Sequence, residues 1–225
     1  MAKVTPAHQA RRAEFLLAAQ HLFFKHGYGE TPVSAILAHV GVAKGTFYHY
    51  FSSKEDLLDQ LVAQMTDEGL GVINAVLEVP GSSAIDQINR LFLVLSSWKA
   101  AHKEAAIGAM HALYRDENLL LRRKMFRRSV ALMTPILSGL IRRGVDEGQL
   151  TTRYPDETAE LILELGTVIN RKIVGFIMSD LPQKSVHQKV EHWLTVYERK
   201  AEKMMGAPDR SLQMFGRDDL KAMLL

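Results

Sequence analysis

Cysteine is missing from the 225-residue chain, which excludes disulfides, thiolate metal sites and cysteine nucleophiles. Proline is sparse, at seven residues, and strand-like alternating runs are few, so an all-α fold is expected. No apolar run approaches the roughly 18 residues of a membrane span. The opening MAKVTPAHQARR is polar and basic and lacks the apolar centre of a secretory signal, so a cytoplasmic protein is expected. Nine histidines are present, yet no two show the H-x-x-x-H or H-E-x-x-H spacing of a helical metal site. No metal, no cofactor and no enzyme is expected, since no acid pair, nucleophile–base arrangement or phosphate loop emerges either. Acidic residues are also missing from one place: none lies between Glu30 and Glu55.

That acid-free stretch holds the most informative pattern in the chain. Phe15, Ala18, Ala19, Leu22 and Phe23 trace one face of a helix that ends at His26-Gly27. Thr31-Pro32 predicts the next helix start, with Thr31 as cap, and Val33, Ile36, Leu37 and Val40 form its stripe. Gly41 breaks it, and a third helix is expected over Ala43–Phe51 with Phe47 and Phe51 as core anchors. Opposite those rings lie Gly45 and His49, flanked by Thr46 and Tyr48, a set suited to close approach and hydrogen bonding to bases or phosphates. Lys44 adds a positive charge. Ser52 and Ser53 cap a fourth helix at capping-box spacing from Glu55 and Asp56, and Lys54 in its first turn suits a phosphate. Two short helices joined by a tight turn are what places a helix in the major groove. A three-helix bundle that binds nothing has the same periodicity, but charge favours DNA. Of the chain's 28 basic and 25 acidic side chains, six and two lie in residues 1–54, leaving 22 and 23 elsewhere.

Arg12, Phe15-Leu16, Ala18-Ala19, Leu22-Phe23, Gly27-Tyr28, Thr31, Val33, Ile36, Gly41-Val42, Lys44-Gly45-Thr46-Phe47-Tyr48, Tyr50-Phe51 and Ser53-Lys54-Glu55 resemble the DNA-binding domain of TetR/AcrR-like transcriptional regulators. The likeness spans about residues 9–60. Leu37 and Val40 stand where alanines are more frequent in that family, and Ala43 where serine is frequent. The resemblance implies a positioning helix at about 33–40 and a recognition helix at about 43–50. Thr46, Tyr48, His49 and Tyr50 would make groove and phosphate contacts, and Lys54 a phosphate contact. Tyr50 could equally pack its ring and expose only its hydroxyl.

Beyond residue 60, Pro80-Gly81 and Gly148 punctuate further helices expected at about 85–101, 103–114, 116–146 (with Pro135 inside, where a kink is expected), 156–180 and 184–205. The resemblance implies an N-terminal helix-turn-helix domain (9–60), a larger helical effector-binding and dimerisation domain (61–206) and a tail (207–225), with a short amphipathic turn expected around Asp218–Leu225. By the same resemblance the chain is a repressor that binds palindromic operator DNA as a homodimer and is released by a small-molecule effector. Its subunits would meet through about 156–180 and 184–205, where Ile162, Leu165, Ile169, Ile173, Phe176, Trp193, Tyr197 and Met204 are apolar. Trp98, His102, Met110, His111, Tyr114, Met125 and Met133 are candidates for the effector cavity, Met and aromatic side chains being adaptable linings. The basic run Arg122, Arg123, Lys124, Arg127 and Arg128 is expected to be a solvated helix face, an anionic effector site being the alternative. A helical small-molecule-binding or interaction protein without DNA binding is the competing function.

Overall fold

The computed structural model describes residues 6–77, 82–101 and 103–218. Helices are the only regular elements among them: α1 (Pro6–His26), α2 (Val33–Val40), α3 (Lys44–Tyr50), α4 (Lys54–Leu77), α5 (Ala84–Ala101), α6 (Lys103–Leu113), α7 (Leu119–Asp146), α8 (Pro155–Ile177) and α9 (Gln183–Met205). A 3-10 turn, Asp116–Asn118, precedes α7. The tail segment Asp218–Leu225 lies largely outside the described residues. The chain divides into two compact units: residues up to Asp67 with Gly108–Arg128, and Glu68–Ile107 with Ser129 onward.

Local signals account for most helix ends. Gly27, Gly41, Gly148 and Gly206 all take positive φ, the left-handed conformation that closes a helix at no steric cost to glycine. At Gly27 a side chain is also excluded by packing, because a Cβ there would lie 2.3 Å from Cβ of Glu117. Pro6 and Pro155 open α1 and α8, where the missing N–H costs nothing. α7 runs on through Pro135. Two capping expectations change. No side chain caps α2. Thr31 is buried and turns its hydroxyl the other way, donating to the Gly27 carbonyl at 2.7 Å. At α4, Ser53 Oγ accepts the Asp56 N–H at 3.0 Å, and the Asp56 carboxylate accepts the Ser52 N–H at 2.8 Å. Glu55 takes no part in that box; it pairs with Lys124.

The first unit is built on a ring cluster. Phe15 meets Phe47 and Phe51 edge-to-face, each with centroids 5.7 Å apart, and all three are buried with Phe23, Ile36, Leu57, Leu58 and Leu61. Leu121 of α7 completes this core. Beside it, Asn118 is fully buried and saturates three backbone groups. Its Nδ2 donates to the carbonyls of Phe23 (2.8 Å) and Ala112 (2.9 Å), and its Oδ1 accepts the Tyr28 N–H (2.8 Å). The Gly29 N–H donates to the Glu117 carbonyl and Arg115 donates to the Lys25 carbonyl, so the corner between α6 and α7 is bound to the turn between α1 and α2. The basic run of α7 is also engaged, not merely solvated. Lys124 bridges Glu55 (2.8 Å) and Asp59 (2.6 Å); Arg128 holds Thr66 and Asp67; Arg122 lies 4.8 Å from the Tyr114 ring. Arg123 and Arg127 alone are exposed.

The second unit packs α5, the latter part of α7, α8 and α9 around Ile88, Leu91, Leu137, Ile141, Ile162, Val190 and Tyr197. The Tyr197 hydroxyl donates to the Ile162 carbonyl at 3.0 Å, and burial pushes its pKa well above the ordinary phenol value. Ile162, Ile169, Ile173 and Tyr197, expected at a subunit interface, are thus interior to this unit. The α8 face that carries the three isoleucines, and Tyr197 on α9, are spent on the chain's own core. Leu161 and Val168 point outward instead, while Leu165, Phe176, Trp193 and Met204 are half-buried. Segment 211–217 belongs to this unit's core. The buried carboxylates of Glu202 and Glu198 accept the N–H groups of Leu212 and Met214, and Asn89 bonds Ser211 and Gln213. Burial raises the Glu198 pKa against the opposing pull of Arg217, the N–H groups of Met214 and Phe215, and Arg199.

Two outcomes follow for stability. Asn118→Ala removes three hydrogen bonds, leaves the Tyr28 N–H without its acceptor, and is expected to lower unfolding free energy by about 2–4 kcal/mol, read by urea denaturation; a loss near zero would show that water replaces the amide. The Asp56 carboxyl is held below its usual range by hydrogen bonds from Gln60 and Ser52, with Arg12 adding to them. Its contribution is therefore present above the unfolded pKa and lost as pH falls through the lower folded value. Asp56→Asn should lower Tm at neutral pH and flatten the loss of stability below about pH 4.

Candidate nucleic-acid interface

The face of α3 opposite its core anchors is open. Phe47 points into the core at 0% exposure, so Lys44, Gly45, Tyr48 and His49 emerge on the solvent side and Thr46 lies half-buried at the flank. Lys44 carries its ammonium 5.9 Å from the Tyr48 ring. A Cβ at Gly45 would meet nothing within 4 Å, so the fold does not require glycine there. Its backbone is therefore free for close approach by a partner. α2, whose exposed Pro32, Ser34, Ala38 and His39 lie beyond its buried Ile36, leads into α3 through Gly41.

The other two expected contacts sit differently. Tyr50 is half-buried, its ring 5.8 Å from Phe15 and 4.4 Å from His8. The sequence left its ring position open; the packed position is the one found. Lys54 lies over the Tyr28 ring at 4.2 Å and donates to the Gly29 carbonyl at 3.4 Å. Burial lowers its pKa, with Glu30 pulling the other way. His8 is the residue sequence reasoning missed. It precedes the apolar stripe of α1, and nothing local to it signals that the first turn of α1 reaches α3.

The expected effector residues fall in both compact units. Met125 packs on the ring core of the first unit, and Met133 on the core of the second. Met110 and Tyr114 are half-buried and His111 is exposed. His102 and the side chain of Trp98 lie outside the described residues. A cleft of about 680 Å³ opens elsewhere, between α5, α9 and the segment after it, lined by Leu93, Arg199, Leu212, Phe215 and Arg217. Among the described residues no three acidic or histidine side chains converge as a metal site, and no helix is long and apolar enough to cross a membrane.

Residues 15–61 match the family description of bacterial regulatory proteins of the tetR family. The fatty acid metabolism regulator protein of Bacillus subtilis (strain 168) is 30% identical over 166 residues, covering 72% of this chain and 81% of the relative. The HTH-type transcriptional repressor KstR2 of Rhodococcus jostii (strain RHA1) is 29% identical over 159 residues, covering 69% and 75%. The crystal structure of a TetR transcription regulator from Haloarcula marismortui ATCC 43049 shares the fold at a TM-score of 0.56 and 17% identity, over 88% of this chain and 97% of that one. With its acid-free α3 set on a buried ring core, the chain belongs to the TetR family of DNA-binding transcriptional regulators.

Proposed function

We propose that the chain is a repressor that binds a palindromic operator as a homodimer and is released by a small-molecule effector. The observation that carries the DNA-binding part is the solvent face of α3. Lys44, Gly45, Thr46, Tyr48 and His49 project together from a helix whose other side is locked by Phe47. Lys44 and Lys54 would neutralise phosphates, Thr46, Tyr48 and His49 would reach base edges, and Tyr50 would offer its hydroxyl to the backbone. Similarity to a relative named as a repressor supports the sign of regulation.

One recognition helix contacts too few bases for high specificity, and two-fold symmetry doubles them. The surface offered for self-association on α8 is the outward pair Leu161 and Val168, with half-buried Leu165 between them and half-buried Trp193 on α9, over whose ring Lys172 lies at 4.7 Å. An effector held by the helices around α5–α7, with Trp98, His102, Met110, His111, Tyr114, Met125 and Met133 as candidates, would act through α4 and α7. Both helices run without a break from one compact unit into the other. Half-sites lie about 34 Å apart, so a small change in recognition-helix spacing suffices, at a coupling of about 1–3 kcal/mol.

Gly45→Ala separates fold from function. Stability should rise by roughly 0.5–1 kcal/mol, as expected for alanine inside a helix, while operator affinity falls because the added methyl blocks close approach. Unchanged affinity in a fluorescence-anisotropy titration would remove Gly45 from the interface. Leu161→Glu should shift sedimentation from dimer to monomer and weaken operator binding in parallel. A dimeric Leu161→Glu protein would place the subunit contact elsewhere. Loss of affinity with rising salt is expected throughout, and a chain that binds its own promoter region at no salt concentration, with or without effector, would sink the proposal.

A further inference from the structure

His8, at the third position of α1, sits against the recognition helix although it is far from it in sequence. Its ring centroid lies 4.4 Å from that of Tyr50 and 5.6 Å from that of His49, and His49 and Tyr50 meet nearly perpendicularly at 5.1 Å. Tyr50 is in turn 5.8 Å from the buried Phe15. The result is a chain of rings running outward from the core, Phe15 to Tyr50 to His8 and His49. His49 is the exposed end of that chain, and His8 is half-buried beside it. An exposed imidazole at the end of a helix has two free torsions. A ring wall on one side removes part of that freedom before DNA arrives, so less side-chain entropy is lost on binding.

We propose that His8 is a positioning residue of the DNA-binding surface, holding His49 in the orientation that meets the operator, with the core-packed Tyr50 ring as the shared wall. The proposal rests on the reading of His49 as a base or phosphate contact. It adds the first turn of α1 to the determinants of specificity. His8 acts through its neighbours' orientation, so its removal should relax discrimination where His49 reads and leave discrimination elsewhere intact.

The test uses the full chain and a DNA duplex enriched by it from a randomised library. His8→Ala should weaken binding about two- to tenfold, the range that ring pairs and side-chain ordering support, with Tm and oligomeric state unchanged. His8→Phe, which restores a flat ring, should bind close to the unaltered chain. His8→Ala combined with His49→Ala should be no weaker than His49→Ala alone, and single-base substitutions should show the His8→Ala preference relaxed only at the base pairs to which His49→Ala has become indifferent. Full affinity in His8→Ala, or penalties of the two substitutions that add completely, would overturn the proposal while leaving His49 as a contact. If His49→Ala alone binds as tightly as the unaltered chain, the contact assignment of His49 fails and this proposal falls with it.

Discussion

The hydrogen bonds of one buried amide, Asn118, hold together parts of the DNA-binding unit that are distant in sequence. An amide with two donors and an acceptor can bind three backbone groups at once, and here it binds one at the end of α1, one at the end of α6 and one in the turn at Tyr28. Each lies where a helix terminates and helical hydrogen bonds run out, although the Phe23 and Ala112 carbonyls also accept the N–H groups of Gly27 and Arg115. The same corner brings Glu117 against Gly27, where a Cβ does not fit. A glycine that ends a helix and an asparagine that satisfies the exposed ends are thus two halves of one joint.

The electrostatics of α7 reinforce that joint. Lys124 is largely sequestered between Glu55 and Asp59, both more exposed than it is, so its hydrogen bonds to them offset the cost of removing an ammonium from water. Its pKa is pushed up: desolvation alone would lower it, but the two carboxylates prevail. Three of the five cations in the run 122–128 are thereby committed within the unit, and their charge is not free for an anionic ligand. Within residues 31–54 the formal charge comes from Lys44 and Lys54, with no acid and no arginine among them.

In the second unit, charge is buried to hold chain rather than to bind. Glu198 and Glu202 are almost wholly covered, yet each receives a backbone N–H from segment 211–217 and a guanidinium from Arg217 or Arg199. This places Leu212 and Met214 in the core and makes a stretch without regular structure as interior as the helices around it. Polarity along α9 therefore does not mark its solvent face.

Helix limits, the turn between α2 and α3, the anchors Phe47 and Phe51 and the open face at Gly45, Tyr48 and His49 were legible in the sequence. The signals involved act over one or two turns: a glycine that tolerates positive φ, a proline without an N–H, an apolar period near four. The roles of Thr31, Lys124, Asn118, Glu202 and His8 were not, because each depends on a partner brought near only by the path of the chain; Asn118 and Tyr28 are 90 positions apart. Apolar periodicity on α8 and α9 showed that one stripe is buried but not against what, and Ile162, Ile169 and Tyr197 proved to serve the chain's own core. The sequence by itself determined an all-helical protein, since composition and local periodicity suffice for that, while the DNA-binding class came from the charge asymmetry and the resemblance carried by residues 9–60. Only the tertiary structure decided which polar groups are spent on the fold and which remain for a partner, since burial and pairing are properties of neighbours in space.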